Sequence, residues 1–165
     1  MNNTFAKRLV NARKIRCMSQ RELCNSVNGK VSPTAIAKYE KGLMMPSSDV
    51  LIALSNALNM KLDYFFRPFT IDIDPSKFEF RKKSSMGSKM VESTKYLVCS
   101  EIEKYLEIEA ILGTTSTFSL NFSNTLVESE NEAKLLALRL RKELCIGSDA
   151  IVSAIDLLEN AGIKI

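Results

Sequence analysis

Ser32, Pro33, Thr34, Ala35 and Lys38 form a small, polar and basic run whose side chains suit one kind of chemistry, the reading of base edges. Thr and Ala methyls can touch the methyl group of thymine, and Lys can donate to the acceptors of guanine. A helix carrying such residues at its N-terminal end can enter a major groove. Two common hydrolytic chemistries are excluded. The chain has no histidine, so it supplies neither the paired imidazoles of an H-E-x-x-H zinc site nor a histidine base for a Ser or Cys nucleophile. Cys17, Cys24, Cys99 and Cys145 form no C-x-x-C pair, and reduced, buried thiols are favoured over metal ligands. The expectation is a binding protein without a metal or cofactor, not an enzyme.

Reading residues need short helices to hold them, and the start signals are explicit. Ser19 with Glu22 three residues on is a capping box, and Met18 and Leu23 flank it as a hydrophobic staple, so a helix is predicted from Gln20. Asn28 and Gly29 mark a turn. Ser32 then caps a second helix with Pro33 at its first position, where the missing N–H costs nothing. In that helix Ile36 and Tyr39 face the core with Leu23 and Val27, which leaves Ser32, Pro33, Thr34, Ala35 and Lys38 outside. Taken alone, this pattern fits a plain helical hairpin about as well as a DNA-reading helix-turn-helix. The flanks decide between them. Upstream, Phe5, Leu9, Ala12 and Ile15 form one stripe among Lys7, Arg8, Arg13, Lys14 and Arg16. Downstream, Pro46 and Ser47 lead into a helix with Leu51, Leu54 and Leu58, followed by a short closing helix around Asp63 to Phe66. Five short helices in so short a segment are stable only around one shared core.

Over residues 5 to 67, this order resembles the Xre or Cro/C1-type helix-turn-helix family, the domain of lambda-type phage repressors. The resemblance rests on the Q-x-x-L-A-like run from Gln20 to Cys24, the I-x-x-Y-E-x-G run from Ile36 to Gly42, and the Pro-Ser and L-x-x-L-x-x-x-L helix after it. It implies that Gln20 clamps a backbone phosphate and that Pro33, Thr34 and Lys38 lie at base-reading positions. Arg21, Ser32, Ala35 and Lys41 belong to the same DNA-facing set. It also implies a partly buried, structural ion pair between Arg13 and Glu40. The VNGKVS loop is longer than in the shortest family members, and Pro33 stands where a polar residue is common.

Charge agrees with a double-stranded DNA partner. Residues 1 to 67 hold 11 Lys and Arg against 4 Asp and Glu, a net of +7, whereas residues 68 to 165 hold 12 against 15, a net of −3. The surplus lies on the half with the motif, as phosphate binding requires. No apolar run approaches the roughly 20 residues of a membrane span, and MNNTFAKRLV lacks the apolar centre of a signal peptide. A cytoplasmic protein without membrane association is expected.

The asymmetry also suggests two parts joined by a linker: a DNA-binding domain at 1–67 and a helical dimerisation or regulatory region at 88–165, with a basic linker at 68–87 between them. In the linker, Thr70 to Asp74 and Phe78 to Phe80 alternate like short extended pieces, and Arg81 to Lys83 is a basic stretch. A long amphipathic helix is predicted from Met90 to Leu112. Its Val91, Leu97, Val98, Tyr105 and Ile108 offer a dimer seam, or a face for the later helices. Residues 113 to 127, with Phe118, Leu120 and Phe122, suit a loop with a short strand. A helix over Glu128 to Leu144 follows, then one capped by Ser148 that uses Ile151, Val152, Ile155 and Leu158 and ends at Gly162. This C-terminal stretch, with FFRPF and EFRKKSS, resembles the region joining an Xre-type domain to an ImmA/IrrE-type metallopeptidase, its G-I-K-I strand leading into the peptidase. The expectation is therefore either truncation before a catalytic domain or a stand-alone regulator. The fold class expected is all-α, and the function a repressor-like regulator acting on operator DNA as a homodimer. The alternative is an antitoxin or peptidase-regulatory fragment that binds a protein partner through its C-terminal half.

Overall fold

The computed structural model describes residues 3–71, 73–80, 85–114, 118 and 126–165. Among the described residues all regular structure is helical. Helices α1 (Asn3–Ile15), α2 (Gln20–Ser26), α3 (Pro33–Glu40) and α4 (Ser48–Leu58) precede 3₁₀ turns at Leu62–Phe65 and Pro75–Lys77. Helices α5 (Ser88–Leu112), α6 (Glu130–Glu143) and α7 (Ala154–Asn160) complete the series. The chain divides into two compact units, residues 1–112 and 113–165.

In the first unit one apolar cluster joins all four leading helices. Phe5, Leu9 and Ala12 of α1 meet Leu23 and Val27, Ile36 and Tyr39, Leu54 and Leu58, and Phe65 of the closing turn. Burying each large side chain stabilises by about 1.5–3 kcal/mol, which lets helices of only seven or eight residues persist. Phe5 sits 5.9 Å, centroid to centroid, from Phe65 and seals the end of the core. Asn59, in the left-handed region at φ +50°, ends α4.

The boundary lies elsewhere than the sequence reading set it. Helix α5, assigned there to the C-terminal region, packs on α1, and the first unit runs through Leu112. Charge explains the difference: Arg8 on α1 is almost wholly buried and takes its carboxylate from Glu103 of α5. A buried cation unmatched within 1–67 must find its partner further along the chain.

The linker also differs. Thr70 to Asp74 forms no strand among the described residues; Asp74 instead caps the 3₁₀ turn at Pro75–Lys77, accepting from the Ser76 N–H at 2.9 Å. Phe78 and Phe80 stack on each other at 6.3 Å. The basic stretch Arg81 to Lys83 lies outside the described residues, as does most of the 113–127 segment, including Leu120 and Phe122.

In the second unit Ser129 caps α6 by accepting from the Glu132 N–H. The last helix starts later than expected. Ser153, not Ser148, is its cap and accepts from the Asp156 N–H at 3.2 Å, while the Arg141 side chain holds the carbonyls of Gly147 and Asp149. Residues 148–149 form a bend rather than a helix start, so Ile151 and Val152 precede the helix. Ile163 to Ile165 form no strand. Neither α6 nor α7 buries a residue.

Candidate nucleic-acid interface

The two short helices are fixed at their ends by the residues that start and stop them. The Ser19 N–H donates to Glu22 Oε2 at 2.6 Å and the Glu22 N–H to Ser19 Oγ at 3.2 Å, so both halves of the capping box at α2 are made. Asn28 and Gly29, at φ +54° and +71°, reverse the chain. Ser32 Oγ then accepts from the Ala35 N–H at 3.1 Å. At the other end of α3, Gly42 at φ +69° lets its own N–H reach the Tyr39 carbonyl and the Leu43 N–H reach that of Lys38, the bond pair of a Schellman stop.

Between these ends, the faces of α3 separate. Ile36 and Tyr39 are buried, whereas Ser32, Pro33, Thr34, Lys38 and Lys41 are exposed. Thr34 and Lys38 are four apart and Lys41 three further on, so they share a face. Ala35 departs from the expected set, being half-buried and packed against the core. It precedes Tyr39 by four positions along the helix and so lies only about 40° from it around the axis. On α2, Arg21 is exposed and Gln20 half-buried.

A three-residue network holds α1, α2 and α3 in register. Arg13 Nε and Nη2 donate to the two oxygens of Glu40 at 2.5 and 2.9 Å, and Nη1 donates to the Met18 carbonyl at 2.8 Å. Gln20 Nε2 donates to the same Glu40 carboxylate at 2.7 Å. Glu40 is the last residue of α3 and Gln20 the first of α2, so one carboxylate locks the start of one helix to the end of the other. Gln20 retains a second amide proton for a ligand.

Lys89 is a residue that the sequence reading missed. It reaches from α5 to Glu22, in the first turn of α2, at 3.0 and 2.7 Å. Together with the Ser19 N–H, it holds the Glu22 carboxyl down at about 2. No local pattern signals a contact between positions this far apart. Arg13, Lys14, Gln20, Arg21, Lys89 and Glu92 surround an open hollow of about 430 Å³.

On α5, Leu97, Tyr105 and Ile108 are about half exposed, while Val91 and Val98 are half-buried at the flank. Of the four thiols Cys99 is buried, Cys17 and Cys24 are half-buried and Cys145 is exposed, so burial does not extend to Cys145. Cys24 Sγ donates to the Val31 carbonyl at 2.9 Å.

Among protein families, the one described as Helix-turn-helix matches residues 11–65. Comparison with curated proteins and with solved structures returned no match. Residues 11–65 thus match a helix-turn-helix domain of the Cro/C1 type. No helix among the described residues is long and apolar enough to cross a membrane.

Proposed function

We propose that the chain is a cytoplasmic, repressor-like transcriptional regulator that binds operator DNA as a homodimer. The observation that carries this reading is the outer face of α3, where Thr34, Lys38 and Lys41 stand exposed over a buried Ile36 and Tyr39. Gln20 and Arg21 at the start of α2 are assigned to phosphates and Thr34 and Lys38 to base edges, with Pro33 touching a thymine methyl. One recognition helix reads few base pairs, so two copies about 34 Å apart are needed for useful affinity. The exposed Leu97, Tyr105 and Ile108 of α5, with Met90 and Ile111 beside them, are the proposed seam; apolar faces of this kind mark interaction sites. Sedimentation of the full chain tests the assembly. A dimer that Leu97→Asp with Ile108→Asp converts to a monomer is expected, and a monomeric wild type would contradict it.

A second reading has its own support. Leu135 and Leu138 of α6 and Val152 ahead of α7 are exposed at 67%, 63% and 104%, apolar area that a protein partner would cover. On that reading residues 88–165 act as an antitoxin-like or peptidase-regulatory connector of the Xre–ImmA/IrrE kind. Without histidine, no H-E-x-x-H hydrolase is proposed on these residues. Co-purification of a stoichiometric partner that is lost with Leu135→Asp and Leu138→Asp would favour this reading over homodimeric repression alone.

A further inference from the structure

The first turn of α5 stands beside the first turn of α2, outside the segment that the family match covers. Lys89 does not reach Glu22 by chance of a long side chain. Ser93 Oγ donates to the Ile15 carbonyl at 2.8 Å, Lys14 pairs with Glu92 at 2.6 Å, and Cys17 Sγ donates to the Lys89 carbonyl at 3.5 Å. The start of α5 is thereby tied to the end of α1, and Lys89 is delivered to one place. Both members of the Lys89–Glu22 pair are about half exposed, so the pair adds little to folding. Its consequence is electrostatic. A carboxylate in the first turn suits the helix dipole, but under the proposed function the same turn, with Gln20 and Arg21, faces a phosphate. An uncompensated Glu22 would repel that phosphate across a screening length of about 8–10 Å.

We infer that Lys89 is part of the DNA-backbone interface: α5 carries it to α2, where it neutralises Glu22 at the point of phosphate docking. The inference rests on the DNA-binding reading and deepens it. The partner at this point is the phosphate backbone whatever its sequence, and seating of α5 on α1 becomes a condition of full affinity.

The test uses the full chain and random-sequence duplex DNA at low salt, read by fluorescence anisotropy. Lys89→Ala is expected to weaken binding about two- to fivefold, the scale of one screened unit charge nearby. Glu22→Gln preserves the capping box, since Gln serves that position too, and in the Lys89→Ala background it is expected to restore affinity to near the wild-type value. Circular dichroism on each variant confirms the fold, which exposed side chains should leave intact. No loss with Lys89→Ala, or a loss that Glu22→Gln fails to rescue, would overturn the neutralising role while leaving DNA binding in place. A wild-type chain that binds no duplex would instead contradict the proposed function on which the inference rests.

Discussion

Arg8 and Glu103 meet as a bidentate ion pair at 2.7 and 2.5 Å, with side chains only 3% and 10% exposed. The Arg8 guanidinium also donates to the carbonyls of Arg67 and Pro68 and lies 3.7 Å from the centre of the Phe69 ring. One side chain thus gathers α1, the exit of the closing turn and α5. The helix-turn-helix core and α5 are therefore a single folding problem.

Removing one partner of such a pair strands a buried charge, which costs about 3–5 kcal/mol. Glu103→Ala is expected to lower the unfolding free energy by that amount, read as a lower urea midpoint at unchanged slope. Arg8→Met with Glu103→Leu, which leaves no charge, should recover most of the loss. A fragment ending at residue 67 should be less stable than one ending at 112 for the same reason. Equal urea midpoints for the two fragments would show that α5 does not complete the fold.

Arg13 and Glu40 are the second buried pair, with side chains 8% and 7% exposed. Arg13→Ala or Glu40→Ala alone is expected to cost up to about 3–5 kcal/mol, and the double variant less than the sum. Simple additivity in thermal denaturation would mean that the two side chains are not coupled. Gln20→Ala should weaken every DNA sequence alike and also lower stability, because it removes a bond to Glu40.

Glu22 carries a pH signature. Its carboxyl is held down from 4.5 to about 2 by Lys89 and Ser19. A depressed carboxylate favours the folded state above its unfolded value and loses that contribution as pH falls from about 4.5 toward 2. Solvent screening of this exposed pair keeps the stability effect small, so the titration itself is the readout. Carbon-detected titration of the Glu22 carboxyl should show a midpoint near the lower value, moving up in Lys89→Ala. An ordinary midpoint in the wild type would mean that the Lys89 contact is not held in solution.

What the sequence disclosed follows the range of the forces involved. Ser19 with Glu22 and Ser32 with Pro33 are local signals, and each falls at the helix end it specifies. The apolar stripe Phe5, Leu9 and Ala12 was equally legible, because helical periodicity is local. Arg8 with Glu103 and Lys89 with Glu22 were not, since nothing near a charged residue names a partner dozens of positions away. That gap moved α5 to the wrong domain. Ser148 misled for a different reason: two serines five apart can both cap, and the bonds of Arg141 to Gly147 and Asp149 favour the later one.

The outer face of α3 is the heart of the functional reading, and a binding selection tests it most directly. Selecting duplexes from a random pool with the full chain is expected to enrich a two-fold symmetric site whose halves lie about 10 base pairs apart. On the enriched duplex Lys38→Ala and Thr34→Ala should each lose about 1–3 kcal/mol of discrimination at one base position. On a scrambled duplex both variants should bind nearly as the wild type does. Failure to enrich any sequence, or equal losses on enriched and scrambled duplexes, would contradict base reading by α3.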